Sequence, residues 1–213
     1  MPRDLTQELG HDVALSSLSV GMEIVVGHQD QMNRFVEEFR QPAHSIVQQF
    51  PICLAFCLNN MAAPSGATNP TDTGNTTRAL TSVMSNVPFR CDAALGDVTN
   101  GIVVGTGINA VAMTDYALQT PIAHGNGAGQ LAYSGMVFAA VGTSGSNRVI
   151  DVTRIATNNS GGNISITEIA LYITFVYTGP TNGFFCACRD LLSVTVTNGG
   201  SKTLKYRFTV ALT

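Results

Sequence analysis

From residue 78 onward, the chain alternates short β-prone segments with turns that are rich in glycine and asparagine. These turns fall at residues 142–147, 158–163, 178–183 and 198–200. Many strands joined by such turns, together with only one long helical segment, are typical of β-sandwiches and jelly rolls. The sequence therefore predicts a mainly β fold whose body is an antiparallel β-sandwich or jelly-roll-like sandwich.

The last β-prone segment shows the clearest division into two faces. Large apolar side chains alternate there with polar ones, and the apolar ones are expected to face the core. They are Leu204, Tyr206, Phe208 and Val210. The predicted strands of the body are Ala79–Met84, Phe89–Ala94, Gly101–Gly105, Gln130–Val141, Arg148–Thr157, Asn163–Tyr177, Gly183–Arg189, Leu192–Val196 and Leu204–Leu212.

Residues 1–78 are predicted to form an N-terminal extension that packs on the body, which spans residues 79–213. The extension contains a β-hairpin over Met22–Phe39, followed by Pro42, which cannot donate a ladder hydrogen bond and so closes the second strand. A helix is predicted over residues 43–58, because the apolar side chains follow helical spacing, with a kink or break at Pro51. Residues 59–78 are dense in turn formers and are predicted to be a long loop.

Charged residues make up only 12% of the chain, about half of the roughly 25% found in typical domains. Residues 98–147 contain a single charge, on Asp115. The formal net charge of −3 argues against a nucleic-acid partner, because phosphates require a basic surface. A surface with few charges loses little solvation free energy when another subunit covers it. The composition therefore favours a protein that assembles with partners.

The longest apolar run, Ile52–Leu58, is too short to span a bilayer, and the first residues lack the apolar core of a signal peptide. No membrane partner is predicted, and synthesis in a reducing cytoplasm is expected. The five cysteines include no CxxC pair, so a zinc ribbon or thioredoxin-like site lacks its ligands. They are interpreted as buried apolar thiols, with Cys186 and Cys188 on the same side of a strand. No metal or cofactor is predicted.

No group of side chains has the spacing of a known catalytic motif. Residues 105–110 follow a β-prone segment, but they end in alanine where a dinucleotide-binding loop has its third glycine. His124, in a glycine-rich loop, is interpreted as a solvated residue. Glu168 and Asp151 could be neighbours on adjacent strands, as a glycosidase requires, yet a sandwich needs polar residues on its outer face in any case. The sequence therefore predicts a protein that is not an enzyme.

Several short segments follow one another in a characteristic order over most of the chain. They are the N-terminal hairpin and helix, Asp72–Arg78, Gly101–Gly107, Asp115–Leu118, Ile122–Gly125, Gly129–Tyr133, Ile166–Tyr172, Arg189–Leu192 and the closing strand after Asn198–Gly200. In this order the chain resembles a family of small virion structural proteins of tailed bacteriophages. It departs from the family at Ala170, where the usual residue is glycine.

The resemblance implies a non-enzymatic component of the virion, in the tail, neck, baseplate or head decoration, made in the cytoplasm of the bacterial host. It also implies that the partners are copies of this chain and other virion proteins. Low charge places the expected subunit contacts within residues 101–141. The candidate interface residues are Val103, Val104, Ile108, Val111, Met113, Tyr116, Leu118 and Ile122.

A second hypothesis is a host-recognition or carbohydrate-binding module on a phage fibre. Such a module needs a cluster of exposed aromatic side chains, and the chain has no tryptophan to contribute. The candidate aromatics are Tyr116, Tyr133, Tyr172, Tyr177, Phe184 and Phe185.

Overall fold

The computed structural model describes residues 18–32, 34–43, 45–58, 69–80, 89–177 and 181–212. Within these ranges it contains ten strands and one helix. They are β1 (Leu18–Gln29), β2 (Phe35–Pro42), α1 (Gln49–Leu58), β3 (Gly101–Gly105), β4 (Ala132–Tyr133), β5 (Val137–Phe138), β6 (Gly142–Ser144), β7 (Asn147–Thr157), β8 (Ile164–Tyr177), β9 (Thr181–Val196) and β10 (Ser201–Leu212).

The strands form two antiparallel sheets. The larger sheet has the order β2-β1-β10-β7-β4, and β5 and β6 also pair with β7. The smaller sheet has the order β3-β8-β9. The main apolar core combines side chains from both sheets, including Ile24, Leu204 and Tyr206 from the larger one and Ile166 and Ile169 from the smaller one. The predicted mainly β, antiparallel sandwich-like fold is confirmed.

The N-terminal hairpin is part of the larger sheet. Strand β1 pairs with β10 over ten residues, from Leu18 opposite Leu212 to Gly27 opposite Thr203, and β2 forms the outer edge. The hairpin and its end at Pro42 are as predicted. The boundary drawn at residue 78, however, does not separate the hairpin from the body, because the hairpin extends the same sheet.

The register predicted for the closing strand is correct. Leu204 and Tyr206 are fully buried between the sheets, and Phe208 packs against the same core. Val210, at the end of this row, is exposed. The inner face of the larger sheet therefore extends beyond the part that the smaller sheet covers.

The smaller sheet is covered on its outer face as well. Val103, Ala170, Tyr172 and Cys186 from its strands form a second cluster with Leu118 and with Val47, from the segment before α1. The Tyr172 hydroxyl accepts a hydrogen bond from the Leu118 backbone N–H at 2.8 Å. The long connection between β3 and β4 thus forms a third layer over the sandwich.

Several predicted elements differ from the structure. Helix α1 is shorter than predicted and is not broken, because Pro51 is its third residue, where a missing N–H costs no helical hydrogen bond. Residues 89–94 contain no strand or helix, and residues 130–141 contain two short strands. The two strands predicted over residues 183–196 are one, β9. The predicted strand Ala79–Met84 and the predicted loop lie partly outside the described residues.

Cys186 and Cys188 lie on opposite faces of β9, contrary to the prediction. The pairing register shifts between Leu171 and Tyr172 of β8, so that Ala187 is an extra residue on β9. Such a β-bulge changes which side of the strand the next residue faces. Cys186 therefore joins the outer cluster, and Cys188 joins the core between the sheets.

Candidate functional site: an apolar groove between the sheets

An apolar groove of about 390 Å³ opens where the inner face of the larger sheet extends beyond the smaller one. Its walls come from both sheets, from helix α1 and from residues 89–91, and none of its lining side chains is charged. The lining residues are Met22, Ile46, Phe50, Leu54, Phe89, Cys91, Phe138, Ile150, Val152, Leu171, Ile173, Ala187, Cys188 and Phe208.

The rim of this groove exposes large apolar side chains to solvent. Ile46 and Leu54 on the helix side are 44% and 38% exposed, and Phe138 and Ile150 on the larger sheet are 46% and 39% exposed. Single exposed apolar residues are common on monomers, whereas a contiguous group around a groove is typical of an interaction site. The groove is therefore the best candidate for a functional surface among the described residues.

The interface residues predicted from the sequence divide into two groups. Val103, Val104, Leu118 and Ile122 are buried in the protein's own core, so they are not accessible to another subunit, and the assignment is wrong for these four. Ile108 and Met113 are exposed, and Val111 and Tyr116 are partly exposed. These remaining four stay predicted contacts, on the connection that covers the outer face of the smaller sheet.

Glu168 and Arg189 form a buried ion pair on that outer face. Both side chains are fully buried, and Arg189 Nε donates to Glu168 Oε2 at 2.9 Å. Arg189 Nη1 also donates to Asp115 Oδ2 at 2.8 Å, so the single charge within residues 98–147 is the second partner of this guanidinium. The carboxylates raise the pKa of Arg189 against the opposing effect of burial.

The Glu168 carboxylate also binds the backbone of the covering connection. Oε1 accepts hydrogen bonds from the N–H groups of Gly107 and Thr120 at 3.0 and 2.8 Å, and Oε2 accepts one from Gln119 at 3.1 Å. A β-carbon at Gly105 or Gly107 would lie only 2.4 or 2.6 Å from Oε1. These glycines therefore permit close approach of the backbone to a carboxylate of the same chain. This close approach explains the two glycines without a bound nucleotide.

Arg154 on β7 is a second buried charge, and its partners are backbone carbonyls and an aromatic ring of the same chain. Its guanidinium is fully buried and lies 4.8 Å from the centre of the Tyr133 ring. It donates hydrogen bonds to five backbone carbonyls, those of Ala94, Asp97, Asn100, Ile102 and Ser134. Burial lowers its pKa from the ordinary value for arginine. Arg154 thus fixes the connection before β3 and the turn after β4 to the larger sheet.

The outer face of the larger sheet carries many of the remaining charges. Arg40 pairs with Glu23 and Glu37, and Asp151 pairs with Arg207 and Lys205. Strands β1 and β2 contribute Glu23, Glu37 and Arg40 to this face. The apolar groove and this charged face lie on opposite sides of one sheet.

The Asp151–Arg207 pair predicts a measurable dependence of stability on pH. Arg207, directly opposite on β10, donates two hydrogen bonds of 2.7 and 2.8 Å to the carboxylate and is the main cause of its lowered pKa. A carboxyl whose pKa is lower in the folded state stabilises the fold above its unfolded pKa, and this contribution is lost as the pH falls through the folded pKa.

We therefore expect Asp151→Asn to lower the free energy of unfolding at pH 7 and to have a progressively smaller effect below about pH 4. Urea unfolding of both proteins between about pH 7 and pH 2 measures this difference. Asp92→Asn, which removes an exposed pair with Arg90, is the matched control and should change stability little at pH 7. A difference between Asp151→Asn and the wild type that stays constant over this range would contradict the assignment.

A polar cleft of about 650 Å³ lies at the opposite end of the larger sheet. It contains His28, whose Nδ1 lies 2.7 Å from Glu38 Oε1, and Lys202, which pairs with the second oxygen of Glu38. No aromatic side chain lines this cleft apart from the His28 ring. Among the aromatics named for a carbohydrate-binding module, Tyr133, Tyr172 and Phe185 are buried in the core. The Tyr177 side chain lies outside the described residues.

The remaining candidates for a catalytic or metal-binding role interact with other groups of the protein itself. His124 Nδ1 accepts a hydrogen bond from the Tyr133 backbone N–H at 3.1 Å, although much of the residue is exposed. Glu168 and Asp151 lie in different sheets and are not neighbours. In the described ranges, no three His, Cys, Asp or Glu side chains are grouped so that they could hold a metal ion.

The described cysteines match their interpretation as apolar thiols. Burial raises the pKa of Cys91 to about 11 and that of Cys188 to about 12, and both line the groove. Such thiols carry very little of the nucleophilic thiolate at neutral pH.

The helix that contains Cys53 has ten residues, and the described part of the chain has no helix with the length and hydropathy needed to cross a bilayer.

Comparison with known proteins gives no relative: no family model matches the chain, and neither the curated proteins nor the solved structures give a match.

Proposed function

We propose that this protein is a non-enzymatic structural subunit of a tailed-bacteriophage particle, which builds the particle through contacts with copies of itself and with other virion proteins. The tail, the neck, the baseplate and the head decoration are its candidate locations. The identity of the particle comes from the family resemblance of the sequence. The way in which the subunit would contact its partners is inferred from the apolar groove on the surface of the folded chain.

The single observation that supports this function is the uncharged apolar groove with its exposed rim. A side chain such as Phe138 would be buried by a contact that desolvates no charge. The charged side chains of the larger sheet lie mainly on the opposite face, where pairs such as Arg40–Glu37 remain in contact with solvent. The face with the groove is thus suited to burial against another protein, and the charged face is suited to contact with water.

The proposal is tested by the composition of purified particles of the phage that encodes this chain. Particles separated by density gradient should contain the chain in a fixed ratio to the major capsid protein, as measured by quantitative mass spectrometry. The ratio should persist after high-salt washing, because apolar contacts are not screened by salt. Recovery of the chain only in the soluble fraction would contradict the proposal.

Glycan binding separates this proposal from a fibre module for host recognition. A glycan array probed with the full chain should give no strong, selective signal. A strong signal that is lost when residues of the polar cleft are changed, for example with Lys202→Met, would favour the recognition module.

A further inference from the structure

An exposed arginine, Arg148, lies at the open end of the apolar groove. Met22, Phe208 and Ile150 lie side by side on the floor of the groove, because the strand pairing sets them opposite one another on β1, β10 and β7. In the next row, Arg148 lies opposite Val210 and on the same face, since side chains two residues apart on a strand point to the same side. Both side chains are exposed. The apolar floor thus continues through Val210 to a positive charge.

Arg148 differs from the other described basic side chains in its lack of a partner. Every other Lys or Arg side chain that the structure describes pairs with a carboxylate or, in the case of Arg154, donates to backbone carbonyls. Arg90 and Asp92, which flank Cys91 of the groove, pair with each other at 2.9 Å. Within the described residues, the positive charge of Arg148 is therefore not compensated.

The wall of the groove is held in shape by a cluster of aromatic rings. Phe89 has a φ of 62°, in the left-handed region that bulky residues rarely adopt. Its ring packs edge-on against those of Phe50 and Phe175, with centroids 5.5 and 5.8 Å apart. Strained backbone of this kind persists only where its surroundings fix it. The groove is thus preformed, and a preformed groove loses little conformational entropy when a partner binds.

We propose that the apolar groove and Arg148 together bind a segment of another virion protein in which large apolar side chains adjoin a carboxylate. The apolar side chains fill the groove, and the carboxylate pairs with the guanidinium, which favours bidentate carboxylate contacts. An apolar centre with a polar rim is the usual anatomy of a protein interface. In a two-fold contact of this surface with itself, the uncompensated charges of two copies would be brought together, so a different protein is the better fit.

This inference rests on the proposed function, because it states the chemistry of one partner that the proposed subunit binds. It gives Arg148 the role of recognising a carboxylate. It is also separate from the contacts still predicted at Ile108 and Met113, which lie on the connection over the outer face of the smaller sheet.

The first test is the incorporation of charge variants into particles of the phage that encodes this chain, in competition with the wild type and measured by quantitative mass spectrometry. Arg148→Glu should be incorporated at least about tenfold less than the wild type, because it places a like charge against the partner's carboxylate. Arg148→Lys should be incorporated far better than Arg148→Glu. Arg34→Glu makes the same change of charge at an exposed position beside the polar cleft and should be incorporated as the wild type is. Arg148→Gln provides a second variant if glutamate impairs folding.

Photo-crosslinking in assembled particles identifies the partner. Val210→p-benzoylphenylalanine places a photoreactive ketone beside Arg148. It should cross-link to a different virion protein, at a peptide in which Asp or Glu adjoins large apolar residues. Met32→p-benzoylphenylalanine, in the exposed connection between β1 and β2, is the control and should not give this product.

The outcomes separate this inference from the proposed function. Incorporation of the Arg148 variants at the wild-type level would overturn the inference. Cross-links only to other copies of this chain, or only to peptides without a carboxylate, would overturn it as well. Both results leave the proposed function standing, because the chain is then still part of the particle. Absence of the wild-type chain from purified particles would contradict both proposals.

Discussion

Replacement of Glu168 by glutamine is expected to lower the free energy of unfolding by about 3–5 kcal/mol, as is usual when one partner of a buried ion pair is removed. The carboxylate accepts four hydrogen bonds, and glutamine can accept only at one of its two terminal atoms. Its amide nitrogen would face N–H donors, and the buried Arg189 would lose one of its two carboxylates. Urea unfolding at pH 7 measures the loss.

The matched control is Glu23→Gln, which removes one carboxylate from a partly exposed pair with Arg40. It should change the free energy of unfolding by less than about 1 kcal/mol. Hydrogen exchange should also report the local effect of Glu168→Gln, with faster exchange at the amides of Gly107, Gln119 and Thr120. If the two variants are equally stable, the carboxylate of Glu168 does not hold the covering connection in place.

The sequence predicts the strands well where the side-chain pattern is regular. Alternation in β10 correctly placed Leu204 and Tyr206 in the core, and the apolar run of β3 has the predicted bounds. The β10 case depends on local periodicity, because successive side chains of a strand point to opposite faces. The β3 case depends on a short apolar, β-branched run between two glycines. The hairpin and its end at Pro42 likewise depend on local backbone chemistry.

The environment of Glu168 could not be predicted in this way. A register shift between Ile166 and Glu168 turns this side chain to the outer face of the smaller sheet, where a polar residue is normally solvated. The connection from residue 106 to residue 120 then buries it. Neither a β-bulge nor a covering loop has a periodic signal. The close Gly105 and Gly107 pair was the available signal, because glycines permit close approach of the backbone to another group.

The sequence predicted that the candidate surface would carry few charges, but it did not predict where on the fold that surface lies. Low charge over residues 98–147 predicted contacts with other subunits, but in the structure the region contains both buried residues, such as those of β3, and many exposed ones. Composition alone, however, cannot separate burial within a chain from burial between chains. The structure assigns Val103 and Ile122 to the core, whereas Val137 and Val141 remain exposed. Only the tertiary arrangement shows where the apolar groove opens.

Replacement of Arg154 by methionine is expected to destabilise the protein by about 3 kcal/mol or more. Methionine preserves most of the apolar contact with Tyr133 but removes the donors for five backbone carbonyls. A buried carbonyl without a donor retains the cost of its lost hydration, so the effect comes from the groups left behind. Arg154→Lys should recover only part of the loss, because one ammonium cannot reach carbonyls arranged around a planar fork.

Urea unfolding of both Arg154 variants measures the loss, with Arg148→Met on the exposed part of β7 as the control. Hydrogen exchange distinguishes the proposed role from a general loss of packing. With Arg154→Met, exchange should become faster first in residues 94–102, where four carbonyls lose their hydrogen bond from Arg154, while the β1–β10 pairing stays protected. Since Ile102 lies in β3 of the smaller sheet and Ser134 follows β4 of the larger one, this guanidinium joins the two sheets. Uniformly faster exchange in both sheets would indicate a general loss of packing instead. Full recovery by lysine would show that the positive charge matters and that the five-carbonyl geometry does not.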